Sequence, residues 1–229
     1  MKKRMIVISL GGSQIIPNDI NLSYLNKFKK ILRKHTKKYK FIIVCGGGSV
    51  ARRYISALRK KGISEKLQSL AGISATRMNA RFMSYFFNID PKYGIPHTIK
   101  TLKKYIKKQD IAFCGALEYK PNQTSDSTAA DIAKEFKSEF INITNIKGLY
   151  NKNPKKFKNA KFIPRITWKE FDIMANKSKF QPGQHFVLDQ TASKIILKNK
   201  ITTYITGNNL KQLNNLLNNK NFIGTTIQG

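Results

Sequence analysis

The chain has 229 residues, enough to bury the core of one α/β domain or at most two lobes. Lysine and arginine number 43 against 12 aspartates and glutamates, a formal charge of +31, and no run of eighteen apolar residues exists, which excludes a membrane-spanning helix. The two cysteines, Cys45 and Cys114, stand far apart without neighbouring histidines, which excludes a zinc site and leaves free thiols as the expectation.

The basic start Met1-Lys2-Lys3-Arg4 superficially resembles a signal peptide, but residues 5–10 are too few for its apolar core. The expectation is a cytoplasmic protein. Residues 5–9 read as a first buried strand ending in Gly11-Gly12-Ser13. Residues 21–38 carry Leu22, Leu25, Phe28 and Leu32 at the spacing of an amphipathic helix. A second strand, 41–45, ends in Gly46-Gly47-Gly48-Ser49 and leads into a helix over 50–61. Residues 64–87 form a long helical region. Further strands are predicted over 94–99, 111–114 and 140–144, with a helix over 126–137 between the last two.

After a Lys/Asn loop come a short segment at 162–166, helices at 168–175 and 189–199, and a strand at 201–206. A helix at 210–217 and a strand at 222–227 close the chain. Short apolar runs alternating with helical patterns predict a mostly parallel sheet covered on both faces, a three-layer αβα sandwich. No repeat or flexible linker divides it. Residues 1–229 form one domain, with a first lobe over roughly 1–120 and a second over roughly 121–229, meeting near 117–122.

The charge excess suggests nucleic-acid binding, but the lysines are spread over nearly every predicted helix and loop. The densest runs, 27–40, 100–108 and 152–161, are separated and lack the aromatics that stack bases. A general background on solvated positions accounts for the excess better. No specific nucleic-acid partner is expected.

Two strands that each end in glycines and feed a helix are a stronger signal. Glycine admits an anion close to the backbone, and a helix start offers free N–H groups and the positive end of a dipole. Two such loops at the carboxyl ends of neighbouring strands converge where α/β sheets bind ligands. The P-loop pattern is absent. Gly46-x-Gly48-x-x-Ala51 matches the dinucleotide fingerprint, but it follows the second strand and no acidic residue ends a following strand to hold a ribose. Arg52, one turn beyond Gly48, is placed to fold over a bound anion, although a helix arginine can also be merely solvated, as at Arg53 and Arg59.

Residues 46–55, Gly-Gly-Gly-Ser-Val-Ala-Arg-Arg-Tyr-Ile, closely resemble the second glycine loop of archaeal-type uridylate kinases of the amino acid kinase family. So do Gly11-Gly12-Ser13, Gly72-Ile73 with Thr76-Arg77-x-Asn79-Ala80, and Thr124-Ser125-Asp126. Residues 143–150, Asn153-Pro154-Lys155-Lys156, 189–196 and Gly224-Thr225-Thr226-Ile227 follow in the family's order. The resemblance covers nearly the whole chain and implies the amino acid kinase fold. It also implies transfer of the γ-phosphoryl of ATP to UMP with Mg2+, and a homo-oligomer, dimeric or hexameric. Phosphoryl transfer needs positioning and charge neutralisation more than covalent help, which suits glycine loops and an arginine.

Carried over by position, the resemblance assigns Gly12, Ser13, Gly48, Arg52, Thr144, Asn145, Tyr150, Asn153 and Lys155 to ATP. Gly47, Ser69, Arg77, Asn122, Gln123 and Thr124 go to UMP. Asp126, Arg52 and Lys194 are the catalytic candidates, and no protein-held metal is expected. Asp126 could also be an ordinary acidic N-cap, and Tyr150 an ordinary core tyrosine. Asn79 is expected to face the fold and Arg77 the ligand side or a subunit contact.

The chain departs from the family in four places. Ser9 stands where many members have a lysine, and Ser69 where an aspartate binds the acceptor ribose. Lys147 and Asn153 replace two aspartates, and the loop 115–123 is about three residues long beyond the usual length. These leave open a kinase of the same fold with another small acceptor, or a nucleotide-binding oligomer without catalysis. Isopentenyl phosphate kinases use a histidine near the second glycine loop, whereas His35, His97 and His185 lie elsewhere in this chain.

Overall fold

The computed structural model describes residues 3–90, 92, 94–121, 123–154, 156–177 and 188–229. Strand β1 (Arg4–Leu10) runs into a four-residue helix α1 (Gly12–Ile15) and then α2 (Leu22–His35). The Asn21 side chain caps α2 by accepting the Tyr24 N–H, and Leu25, Phe28 and Leu32 are fully buried. Each contributes about 1.5–3 kcal/mol of burial free energy, so one apolar stripe fixes the helix against the sheet.

Strand β2 (Tyr39–Cys45) lies parallel to β1, with Leu10 opposite Cys45. Helices α3 (Gly48–Lys60) and α4 (Glu65–Phe86) then pack along each other. The strand predicted over 94–99 is absent. Pro96 cannot donate to a ladder, and three residues on the chain enters helix α5 (Ile99–Lys108). Thr98 and Thr101 cap that helix reciprocally, and Leu102 and Ile106, four apart, are its buried face. The dense lysines of this run hid the spacing.

Strand β3 (Ile111–Cys114) pairs with β2, α6 (Ser125–Glu135) follows, and β4 (Glu139–Ile143) returns to the far side of β1. Strands β5 (Leu149–Tyr150) and β6 (Phe162–Ile163) form a small antiparallel ribbon. Next come β7 (Arg165–Ile166), α7 (Trp168–Ala175), α8 (Gln190–Asn199) and β8 (Thr203–Thr206). Helix α9 (Leu210–Leu217) and β9 (Gly224–Ile227) complete the order.

The main sheet runs β3-β2-β1-β4-β8-β9-β7, parallel throughout except for β8 against β9. Tyr39 Oη donates to the Leu217 carbonyl, and Phe87, which ends α4, stacks edge-on to Phe113. These contacts put α2, α4 and α9 on one face. Ser9 meets Asp126 on the other, where α6 is joined by α8 and, through the Lys103–Glu135 ion pair, by α5. The result is the three-layer αβα sandwich. No described helix is long and apolar enough to cross a membrane.

Strand alternation settles the cysteines. Cys45 shares the face of Tyr39 and Phe41, whereas Cys114 points opposite to Phe113, so the thiols lie on different sides of the sheet. Both are free, and burial pushes both pKa values up, that of Cys114 to about 12.

From β1 the chain steps outward to β2 and β3, then crosses back to β4. The order reverses beside β1, and the carboxyl ends of β1, β2 and β4 open at that point.

Candidate active site

The two glycine loops meet at this reversal, backbone against backbone. Gly11 N–H donates to the Ile143 carbonyl and Gly46 N–H to the Leu10 carbonyl, which ties the end of β1 to both neighbours. A Cβ on Gly12 would lie 2.0 Å from the Gly48 nitrogen, and one on Gly46 would lie 2.5 Å from the Gly12 nitrogen. Gly48 also adopts φ +64°, the left-handed region.

Two side chains hold the clasp. Buried Asn79 on α4 donates to the Gly46 carbonyl at 2.7 Å, facing the fold as expected, and Ser49 Oγ donates to the Ile16 carbonyl at 3.2 Å. No side chain caps the first turn of α3, and Arg52 is exposed one turn along it. A helix start without a side-chain cap, with an exposed arginine one turn along, is suited to an anion.

Beneath the clasp lies a carboxylate centre. Ser9 Oγ on β1 donates to Asp126 Oδ1 at 2.6 Å. The N-cap of α6 is Thr124 and not Asp126. Its hydroxyl accepts the Asp126 N–H and donates to Asp189, whose other oxygen accepts the Ala192 N–H at the start of α8. Freed from capping, Asp126 turns to the sheet. Burial, together with the negative charge of Asp189, pushes its pKa up to about 7 despite the opposing bond from Ser9. Asp189 was not among the sequence candidates. An aspartate heading a helical run reads as a simple cap, and it is one, but its second oxygen also serves this centre. Lys194 is exposed on α8.

On the side of β2 and β3, α4 presents half-buried Ser69, and Gly47 sits close enough to Gly72 that a Cβ would lie 3.6 Å from its carbonyl. Arg77 turns its guanidinium onto the carbonyls of Ala116 and Leu117, while Thr76 Oγ1 accepts the Ala116 N–H. Gln123 donates to Asp131 on α6. Arg77 and Gln123 thus hold the loop after β3. Asn122 lies outside the described residues.

On the side of β4 and β8, a cavity of about 370 Å3 opens among Asn145, Lys147, Tyr150, Pro154, Asn209 and Gln212. The Tyr150 ring packs on Phe162 at 5.4 Å, and Gly148 lies tight against Thr225 Oγ1. The structure brings Asn145 and Tyr150 together here and adds Lys147. Thr144 instead donates its N–H to the Thr206 carbonyl, and the Asn153 carbonyl accepts from Lys156 and Phe157. Lys155 lies outside the described residues. Amide side chains, one lysine and an aromatic edge suit a polar ring system with hydroxyls.

No group of three or more histidine, cysteine, aspartate or glutamate side chains could hold a metal among the described residues. Two neighbouring carboxylates and a clasped anion loop fit a divalent ion that arrives with a phosphorylated ligand better than one held by the protein.

The sequence profile of the amino acid kinase family matches residues 4–207. Uridylate kinase of Thermoplasma volcanium is 35% identical over 226 residues, covering 97% of each chain. That of Methanocaldococcus jannaschii is 32% identical and covers 98% of this chain and 99% of its own. Among solved structures, uridylate kinase of Archaeoglobus fulgidus superposes with a TM-score of 0.82 at 29% identity, over 97% of this chain and 99% of that one. UMP kinase of Ureaplasma parvum gives 0.80 at 26% identity over the full length of both.

Proposed function

From the premise that the chain belongs to the amino acid kinase family, we propose that it is a uridylate kinase, moving the γ-phosphoryl group of ATP to UMP to give UDP and ADP. The clasp of Gly12 against Gly46 and Gly48 carries the proposal. It presents two glycine loops at one point, with an uncapped helix start, exposed Arg52 one turn along that helix, and Asp126 bonded to Ser9 of the strand that leads in. ATP lies on the β4–β8 side, with Asn145, Tyr150 and Lys147 about its base and ribose and Gly12, Ser13 and Gly48 about its phosphates. UMP lies on the β2–β3 side with its phosphate near Gly47, its ribose near Ser69 and its base near Thr124 and the preceding loop.

Backbone N–H groups of the clasp face the negative charge that spreads over the transferring phosphoryl group, and Arg52 adds a fork of donors. Asp126, fixed by Ser9 and Thr124, orders the centre. Magnesium carried by the ATP phosphates would supply positive charge there.

The test is purified protein with magnesium-ATP and UMP, CMP, AMP or GMP, with ADP release followed. UMP is expected to be turned over in preference to the others, by at least tenfold in kcat/KM. Equal use of CMP would overturn the assignment of acceptor and point to the contacts of the base, at Thr124 and the preceding loop. No turnover of any acceptor would overturn the activity.

A homo-oligomer is part of the same proposal. Helix α4 exposes Leu67, Leu70, Met78 and Tyr85 along one side, at 52%, 37%, 51% and 55% of their surface. An apolar stripe of that length on a 22-residue helix is suited to a second copy of itself. Replacing Leu70 and Met78 together by lysine is expected to reduce the mass seen by light scattering to that of one chain. An unchanged mass would place the contact elsewhere.

A further inference from the structure

The loop after β3 is held from both ends and spans a void between them. At its start, Thr76 and Arg77 of α4 grip Ala116 and Leu117. At its end, Thr124 caps α6. Between these points, Lys120 Nζ donates to Asp131 Oδ2 at 2.9 Å, and Gln123 Nε2 donates to the same oxygen at 3.2 Å. Under the span lies a cavity of about 380 Å3, with Thr98 and Lys100 on one wall, Leu117 and Gln123 above, and Thr128 and Asp131 on the other wall. Ala116 and Leu117 at the start of the loop are buried, but beyond them Glu118, Lys120 and Gln123 border this space. That part of the loop depends on its ties, and Asp131 provides two from a single carboxylate.

We propose that Asp131 is a positioning residue for the phosphate acceptor, acting through Lys120 and Gln123 to fix the loop against which the acceptor nucleotide binds. This rests on the assignment of the acceptor to the β2–β3 side. An isolated pair as exposed as Lys120 and Asp131, at 53% and 25%, contributes little to global stability. Its effect is therefore local, on the loop, and not on the fold. Asp131 sits inside α6, where alanine is a better helix former than aspartate, so truncation there leaves the helix intact.

The experiment compares Asp131→Ala and Asp131→Glu with the parent enzyme. Steady-state kinetics are run in each substrate, and amide exchange is followed across residues 115–124. In Asp131→Ala the KM for UMP is expected to rise about five- to tenfold, with kcat and the KM for ATP within twofold, and loop amides to exchange faster. Asp131→Glu, which keeps the charge, is expected to recover most of the KM. An unchanged KM for UMP, or an equal rise in both KM values, overturns the proposal. If the parent turns over a different monophosphate, the function assigned above fails and the same comparison is made with that acceptor. If it turns over none, unchanged exchange overturns the proposal and faster exchange confined to the loop supports it.

Discussion

Gly12→Ala is expected to leave less than one hundredth of the parent activity and to destabilise the fold by about 3–5 kcal/mol. The added methyl would sit 2.0 Å from the Gly48 nitrogen, 2.6 Å from its Cα and 2.7 Å from the Gly46 carbonyl carbon. All three atoms are backbone, so no side chain can rotate out of the way. Relief must come from parting β1 and β2 at their ends, which breaks the Gly46 N–H bond to Leu10 and pulls Asn79 off the Gly46 carbonyl. Displacing donors by an ångström removes most of the advantage of fixed geometry. Thermal unfolding and kcat measured together check this. A variant that keeps full activity would show that the clasp does not hold the transferring group.

Asp126→Asn is expected to separate stability from activity. In the folded chain Asp126 keeps its proton up to about pH 7, against an ordinary value of 3.8. The native state therefore binds more protons than the unfolded state between those values, and its stability falls as pH rises through that window. Above it, the ionised carboxylate is a standing penalty. Because Asp126 is half-buried, solvent reduces this to the order of 2 kcal/mol. Asparagine keeps the shape and an acceptor for Ser9 but carries no charge.

The variant should melt roughly 5 °C higher than the parent at pH 8 and show no gain near pH 4. Its kcat should fall about 100- to 1000-fold, because a neutral amide no longer orders the charged centre. Scanning calorimetry at the two pH values, with kinetics at pH 8, decides the matter. An equal shift in melting at both pH values, or retained turnover, would remove Asp126 from its central role.

The sequence made most of the frame legible because its signals were local. Leu25, Phe28 and Leu32 mark α2 by spacing alone, and helices 168–175 and 210–217 are matched at both ends. Helix α5 was not legible. Its two buried residues, Leu102 and Ile106, stand in a run of lysines that reads as a charged surface, and the preceding Ile95-Pro96 looks extended.

At the site, the glycine loops were found from residue type, but their contact was not, since nothing local says which backbone will press on Gly12. Gln123 and Arg77 were assigned to a ligand by their place in the family's motifs. The structure shows both holding the loop, Arg77 through the Ala116 carbonyl and Gln123 through Asp131 of α6, 39 and 8 positions away. Asp189 was missed for the opposite reason, since its visible task as a helix cap hid the bond to Thr124, 65 residues off.

The clasp also limits how this protein can evolve. A harmful enlargement in an ordinary core is often rescued by shrinking its neighbour. Here the neighbours of Gly12 are Gly46 and Gly48, and the neighbours of Gly46 are Gly11 and Gly12, so every opposing position already has nothing left to give up. In a selection for revertants of Gly12→Ala, compensating changes in the facing loop should be absent, and restored growth should come from true reversion at residue 12.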